Sequence, residues 1–548
     1  MIPALLVVLC VSCAGPGGEA LDVESLESQE DRAESLANDL LAFSLAMRKA
    51  DRNRFDDFWA ETVEITTLPE TDPTYSPVAN RVQSASWSFD DKPTALPRDQ
   101  AVDVLWSLAE RYESLEDARF KVKHVEFSED GQQAHAKIKF FIVGQHDGDG
   151  RQWLKGLAEI DAVKSGAEET DPWQLERMQL TEMTSKITVL EWFSEVSGPA
   201  GLNQQFPAFG KGDNGGFVNH GAAVADVNAD GFLDVAASGL SGNFLYLNDG
   251  DGTFTDASAD SLLKFTPPGS GAVFIDYDND GDSDIFFAAV GQQLLLQNRF
   301  IPDGQVRFVD VSLEAGVALD AIGFSAVAAD INNDGWQDIY VCSYNRYGTV
   351  MPDTWTGATN GTPNLLFLNQ GDGSYREVSK EWGVDDSRWS YAAQFIDLDR
   401  DGDQDLYVAN DFGENAFYRN EGGKFADTSH EMGIVDPGFG MGVSFGDYDR
   451  DGDFDLHVTN MSSTAGKRIL QLLYPEDHPM RLSLDKQAEG NSLYANQGDG
   501  TFKNVSPDVG GLGGGWAFGG GFIDIDNDGW EDLHTPNGFV SGETMKDT

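Results

Sequence analysis

At 548 residues the chain is too long for one ordinary domain, and its length suggests about three units with ample core. Hydrophobic residues make up 40% and aromatics 11%, a globular composition. Against 37 basic residues stand 92 acidic ones, and the net charge of −55 argues against nucleic acid or an anionic membrane surface as partner while favouring cations.

The chain opens with a short apolar run, Ala4 to Val11 (ALLVVLCV), too short to span a bilayer and suited to a signal-peptide core over residues 1–14. Cys13 offers a site for lipid anchoring, and Ser12-Cys13-Ala14 offers small residues for ordinary cleavage, so both exits stay open. The run lacks a basic leader, and Cys10 stands where a lipobox carries Leu. Either exit predicts an exported protein: extracellular, periplasmic or at the cell surface. Contact with a membrane is expected only through that anchor. The acidic, Gly-bearing stretch 15–34 reads as a linker. With three cysteines in the chain, Cys10, Cys13 and Cys342, no disulfide framework is expected, and Cys342 in IYVCSY reads as a small buried strand residue.

Residues 35–196 read as an α+β domain. Helical spacing runs through Gln29–Ala60 (Leu36, Leu40, Leu41, Phe43, Phe55, Phe58) and again through Ala101–Ser114. Alternation follows in Phe120–Phe127, Ala134–Val143, Trp153–Val163 and Trp173–Val189, joined by Gly- and Asp-rich turns, of which Asp147–Gly150 reads as a hairpin. Helices followed by a curled antiparallel sheet resemble the cone folds of the nuclear-transport-factor-2-like group. A pocket for a small ligand in that sheet is a further expectation, without named residues. Ser197-Gly-Pro-Ala-Gly201 marks the boundary to residues 202–548.

There the chain repeats Asp-x-Asp/Asn-x-Asp-Gly-x-x-Asp six times, at 226–234, 276–284, 330–338, 397–405, 447–455 and 524–532. Ca²⁺ wants six to eight oxygens at roughly 2.3–2.6 Å, and side chains at positions 1, 3 and 5 converge when Gly at position 6 closes a tight curl. Position 7 then offers its carbonyl and position 9 a further carboxylate. The predicted ligands are Asp226, Asn228, Asp230, Phe232 and Asp234; Asp276, Asp278, Asp280, Asp282 and Asp284; and Asp330, Asn332, Asp334, Trp336 and Asp338. The later loops supply Asp397, Asp399, Asp401, Asp403 and Asp405; Asp447, Asp449, Asp451, Asp453 and Asp455; and Asp524, Asp526, Asp528, Trp530 and Asp532. The expected cofactor is Ca²⁺, about six ions, one for each loop. An EF-hand is excluded, because it needs Glu at position 12 and helical flanks. Here position 12 is Ala237, Phe287, Val341, Val408, Val458 and Thr535, and the flanks alternate as strands.

After most loops comes a short strand ending in Asn, a Gly-bearing turn and an aromatic strand. Examples are Leu245–Asn248 with Phe254, Leu366–Asn369 with Tyr375, Ala416–Asn420 with Phe425 and Leu493–Asn496 with Phe502, with a weaker copy from Leu294–Asn298 to Phe308. Four strands in each repeat make a propeller blade, and the recurring aromatic is expected to pack between blades. The fold predicted is therefore mainly β: a six- or seven-bladed propeller preceded by a small α+β domain. The blade number stays open. The last repeat has no trailing hairpin, and either the sequence is a fragment or Gln204–Phe209 lends a closing strand.

These repeats resemble the FG-GAP/VCBS repeats of integrin α-subunit propellers. Gly440–Asp449 and Val408–Phe412 are similar to the cartilage acidic protein/UnbV-type group, whose usual C-terminal domain is missing here. The resemblance spans about residues 202–540. It implies a calcium-stabilised extracellular propeller used for adhesion or ligand binding, and in that group position 7 supplies a carbonyl.

The function expected is a binding or adhesion module with structural Ca²⁺ and an extracellular protein or glycan as partner. The alternative is a polysaccharide-active, lyase-like enzyme on a calcium propeller. A lyase needs a base beside a charge-neutralising group, yet the eight His are scattered and form no Ser/His/Asp or HExxH pattern. Gly510–Gly515 lacks the Lys of a phosphate loop and reads as a connector. The insertion Met461–Asn491, with Lys467, Arg468, Arg481 and Lys486, is a candidate partner loop.

Overall fold

The computed structural model describes residues 23–69, 74–79, 82–89, 92–146, 150–168, 170–188, 193–202, 221–239, 242–345, 350–354, 357–462, 478–510 and 513–536. The chain divides near residue 194 into two units. The first begins with helix α1 (Val23–Arg48), whose buried Ala33, Leu36, Leu40, Phe43 and Met47 recur at three- and four-residue spacing. The helix starts upstream of residue 35, because the same spacing carries it into the stretch read as linker. It also stops short of the predicted Ala60. Ala50 turns left-handed, with φ 54°, and Asp51 caps the short α2 (Arg52–Asp56) by accepting the Arg54 N–H at 3.2 Å.

Strands β1 (Trp59–Ile65), β2 (Ser76–Ala79), β3 (Val82–Ser88) and β4 (Thr94–Pro97) follow, then α3 (Arg98–Ala109). The long strands β5 (Ser114–Phe127), β6 (Gln133–His146), β7 (Gly150–Lys164) and β8 (Trp173–Thr188) complete one sheet in the order β2-β3-β8-β7-β6-β5. β1 joins it parallel to β8 and antiparallel to β4. The four long strands match the alternating stretches of the sequence. β1 to β4 do not, being short and, in β2 and β4, carrying proline. A single apolar core fills the space under the helices, with Phe43 stacked on Phe55 and Phe120 on Phe140.

The second unit is built from successive antiparallel sheets. The first runs Ala222–Ala225, Asp234–Gly239, Gly242–Asn248, Phe254–Asp256 in simple up-and-down order. Sheets two to five repeat it, and the third takes in Val290–Gln292 as a fifth strand. Among the described residues the sixth sheet has two strands, Gly521–Ile523 and Asp532–His534. This is a propeller in which each repeat contributes one blade. The leading strands of neighbouring blades nearly touch. The Ser325 hydroxyl donates to the Tyr391 carbonyl at 2.8 Å, and a Cβ on Gly442 would fall 2.6 Å from the Cα of Gly519.

The remaining core lies between the sheets in separate clusters. Val227, Ala236 and Leu245 of the first sheet pack on Ile285, Phe287 and Phe308 of the second. Tyr375, Phe425 and Phe502 occupy matching seams, as expected of the recurring aromatic, whereas Phe254 is half-buried. Cys342 is fully buried within a strand, and burial pushes its thiol up to about 12. The Asp147–Gly150 turn, the segment Gln204–Phe209 and Lys467 and Arg468 of the insertion fall largely or wholly outside the described residues.

Candidate metal centres

Each Asp-rich loop joins the first and second strands of a blade. All six curl by the same three bonds. The position-6 Gly N–H donates to the position-1 carboxylate, 2.8 Å in Gly231 to Asp226, and the position-7 N–H donates to position 5, 2.9 Å in Phe232 to Asp230. The position-2 N–H donates to the position-9 Asp, as Val227 does to Asp234 at 2.9 Å. The sixth loop, from Asp524 to Asp532, keeps all three bonds. Position 6 needs glycine: φ runs from 85° to 96° across the six.

This curl gathers carboxylates. One oxygen each of Asp276, Asp278 and Asp284 lies within 4.8 Å of the others, and the same holds for Asp397, Asp399 and Asp401. Asp447, Asp449 and Asp455, and Asp524, Asp526 and Asp532, form two further clusters. In the first and third loops position 3 is an amide, and Asn228 and Asn332 donate to Asp230 and Asp334 at 2.8 Å. At position 7, Phe232 and Trp530 are about half exposed, whereas the side chains of Asp403 and Asp453 accept from neighbouring loops.

Several of these oxygens have no proton to accept. Asp278 Oδ1, Asp282 Oδ1, Asp397 Oδ1 and Asp447 Oδ1 are buried without a hydrogen-bond partner. An orphaned buried carboxylate oxygen is costly unless a cation satisfies it, so the donor set fits a hard divalent ion. Without that ion, desolvation pushes Asp284 up to about 8, Asp338 and Asp455 to about 7, and Asp282 and Asp405 to about 6, and neighbouring aspartates add to each shift.

The position-9 aspartates do more than the sequence reading assigned. Asp234, Asp284, Asp338, Asp405 and Asp455 are all buried. Each spends one oxygen on its own loop and the other on the N–H of the Asn that ends the third strand: Asn248, Asn298, Asn369, Asn420 and Asn496, at 2.7–2.9 Å. Three of those Asn side chains then reach the preceding blade. Asn298 donates to the Val227 carbonyl at 3.0 Å, Asn369 to Tyr277 at 2.9 Å and Asn420 to Ile331 at 2.9 Å. The recurring Asn was visible in the sequence; its span across the seam was not.

Position 4, which carries no ligand, ties loop to loop. It is left-handed in all six, at Ala229, Asn279, Asn333, Arg400, Arg450 and Asn527. Asn279 donates to the Gly335 carbonyl at 3.1 Å and Asn333 to that of Gly402 at 3.1 Å. Arg400 donates to Gly452 and pairs with Asp453 at 3.1 Å, and Arg450 lies over Trp530 at 5.0 Å. The second to sixth loops thus form a linked rim.

The unit repeated blade by blade is strand, acidic loop, strand. The FG-GAP-like repeat model matches residues 226–287, 351–408, 397–458 and 482–535. The chain is similar to cartilage acidic protein 1 of Mus musculus, 26% identical over 223 residues, which covers 37% of this chain and 34% of that protein. It therefore spans about a third of the length of that relative. Among solved structures, an Agrocybe aegerita lectin recognising non-reducing terminal N-acetylglucosamine aligns over 67% of this chain and 80% of its own at 14% identity and TM-score 0.28. A protein of the NTF2-like family from Streptomyces avermitilis aligns over 28% of this chain and 96% of its own at 15% identity and TM-score 0.18.

Proposed function

We propose that the chain is an exported calcium-binding propeller acting as an adhesion or ligand-binding module, with Ca²⁺ in a structural role. The orphaned carboxylate oxygens of Asp278, Asp397 and Asp447 carry this reading, because nothing else among the described groups satisfies them. In each loop the side chains at positions 1, 3 and 5, the carbonyl of position 7 and the carboxylate of position 9 would hold the ion. The position-9 Asp would share its oxygens between the metal and the backbone. Bound Ca²⁺ supplies two positive charges to a crowd of aspartates, which makes metal binding part of folding. Export fits the short apolar run at Ala4–Val11, and no helix among the described residues is long and apolar enough to cross a membrane.

Calcium titration followed by calorimetry should count about six ions, one for each loop. A glycan and matrix-protein binding screen, run with Ca²⁺ and with chelator, should give calcium-dependent capture. A chelator that leaves the melting curve unchanged sinks the structural role. Depolymerised glycan in the screen would move the assignment to an enzyme.

A further inference from the structure

We infer that the outer face of the N-terminal sheet binds an acidic polysaccharide. Strands β5 to β8 turn one set of alternating residues onto the core and the other set away from it. On the outer set, Lys121 stands directly opposite Lys139, and Lys139 opposite Leu157. One row over, Arg119 faces Phe141 and Phe141 faces Lys155; in the next, Trp153 lies between Val143 and Lys186. Like charges directly across a strand pair destabilise a sheet. Here Lys121 faces Lys139 across strands and follows Arg119 along β5, in a chain that has acid to spare. Desolvation brings Lys139 down to about 8, and the positive charges of Lys155 and Lys123 add to the shift. Lys121 falls to about 8 for the same first reason, with Arg119 adding to it.

Asp117, Asp161 and Glu159 lie to the side and are engaged, whereas exposed Glu182, across from Leu157, ends the row that holds Lys121 and Lys139. Asp117 takes Arg119 at 2.9 Å and Arg48 at 3.8 Å, Asp161 takes His135 at 2.6 Å and Arg177 at 3.4 Å, and Glu159 stands across from Lys137. The centre is left as a field of ammonium groups beside apolar rings. Trp153 is 53% exposed and meets Phe141 edge-on at 6.3 Å, while Arg119 covers Phe141 at 5.9 Å.

That combination selects its occupant. The backbone positions that carry these cations are about 4.8 Å apart between strands and about 6.6 Å apart two residues along a strand, close enough for several of them to meet one anionic chain. The open Trp153 ring offers the apolar platform on which a sugar's C–H face stacks. Nucleic acid carries a charge every ~1.7 Å along the duplex, and the −55 of the whole chain opposes so dense a polyanion. Sulfate esters and uronate carboxylates share the chemistry the face recognises. The inference does not depend on calcium.

The test is binding of the full chain, at low salt and with excess chelator, to immobilised heparin, hyaluronan, neutral dextran and a single-stranded oligonucleotide. Heparin or hyaluronan should bind and dextran should not; heparin alone would mark sulfate as the recognised group, and hyaluronan binding would extend it to uronate. The triple variant Lys121→Gln, Lys139→Gln, Lys155→Gln should lose at least about tenfold in affinity, with retention falling steeply as salt rises. Trp153→Ala should weaken glycan binding without changing its salt slope. Removing like charges should leave the melting temperature of the triple variant unchanged or raised, which separates lost binding from lost fold. No glycan binding, equal binding by the triple variant, binding that chelator abolishes, or an oligonucleotide that binds as tightly as heparin each overturns the inference.

Discussion

The two units of this chain solve the same problem with different chemistry. The N-terminal unit buries one continuous apolar cluster under its helices, in which Phe43, Phe55, Trp59 and Phe140 are all inaccessible to solvent. The propeller divides its apolar residues among several smaller clusters, one to each seam. It fills the rest with buried carboxylates, amides and hydroxyls. A blade of four short strands has too little apolar area to stand alone, so each is held by polar groups that reach its neighbour. The lesson is that a fold built by repetition can trade core size for directional bonds, which crowd carboxylates together where the proposed ion would offset their charge.

Removal of calcium should separate the units most sharply. With sites on the order of 10⁻⁴ M, excess Ca²⁺ at 100 times the Kd adds about 2.7 kcal/mol for each site. Calorimetry with chelator should therefore collapse the propeller transition and leave the N-terminal one in place. A shift of both together would break the contrast. Next in size, Asp338→Ala strands the N–H groups of Ile331 and Asn369, at about 1–3 kcal/mol for each, and removes a proposed ligand. Its loss should shrink in chelator, where only the amides count.

Phe140→Ala should cost about 3–5 kcal/mol in the N-terminal transition alone, whether or not calcium is present. Denaturant unfolding followed by hydrogen exchange distinguishes which unit responds. Asn420→Ala removes the amide that joins the fourth blade to Ile331, and a loss of about 1–3 kcal/mol is expected in the propeller.

A further effect is one of pH. In chelator, the position-9 carboxylates hold protons in the folded state up to about 6 for Asp405, 7 for Asp338 and 8 for Asp284, against about 3.9 unfolded. A raised folded pKa favours the folded state fully below the unfolded value, and the benefit is lost as pH climbs to the folded one. The calcium-free propeller should thus melt lower at pH 8 than at pH 5. The two lysines lowered to about 8 in the N-terminal unit begin to titrate only at the top of that window. With calcium present the propeller trend should reverse, because the ion competes with those protons.

The propeller's repeat was readable because Asp, Asn and Gly recur at fixed spacing in every loop, and the long strands were readable because β6 and β7 alternate without interruption. Other features needed three dimensions. Asp256-Ala-Ser258, Asp310-Val-Ser312, Asp427-Thr-Ser429 and Asn504-Val-Ser506 form a second repeat, whose Ser hydroxyl accepts the N–H at or beside the start of the blade's third strand. It passes unnoticed in the sequence, since an Asp or Asn two residues before Ser is common in turns. The cationic face of the N-terminal sheet was hidden for another reason. The irregularity between Val122 and His124 in β5 shifts which residues share a face, so alternation alone does not align Lys121 with Lys139.

Ala229 stands where the other linked loops carry Asn or Arg. A methyl group cannot grip the neighbouring loop, so the seam between the first two blades lacks that tie and is held by the Asn298 amide, the Ser238 hydroxyl on the Ser270 carbonyl at 2.6 Å, the Phe308 N–H on the Ser261 carbonyl at 2.9 Å and apolar packing. A pull on the molecule would spread along the tied rim from the second loop onward and concentrate at this gap.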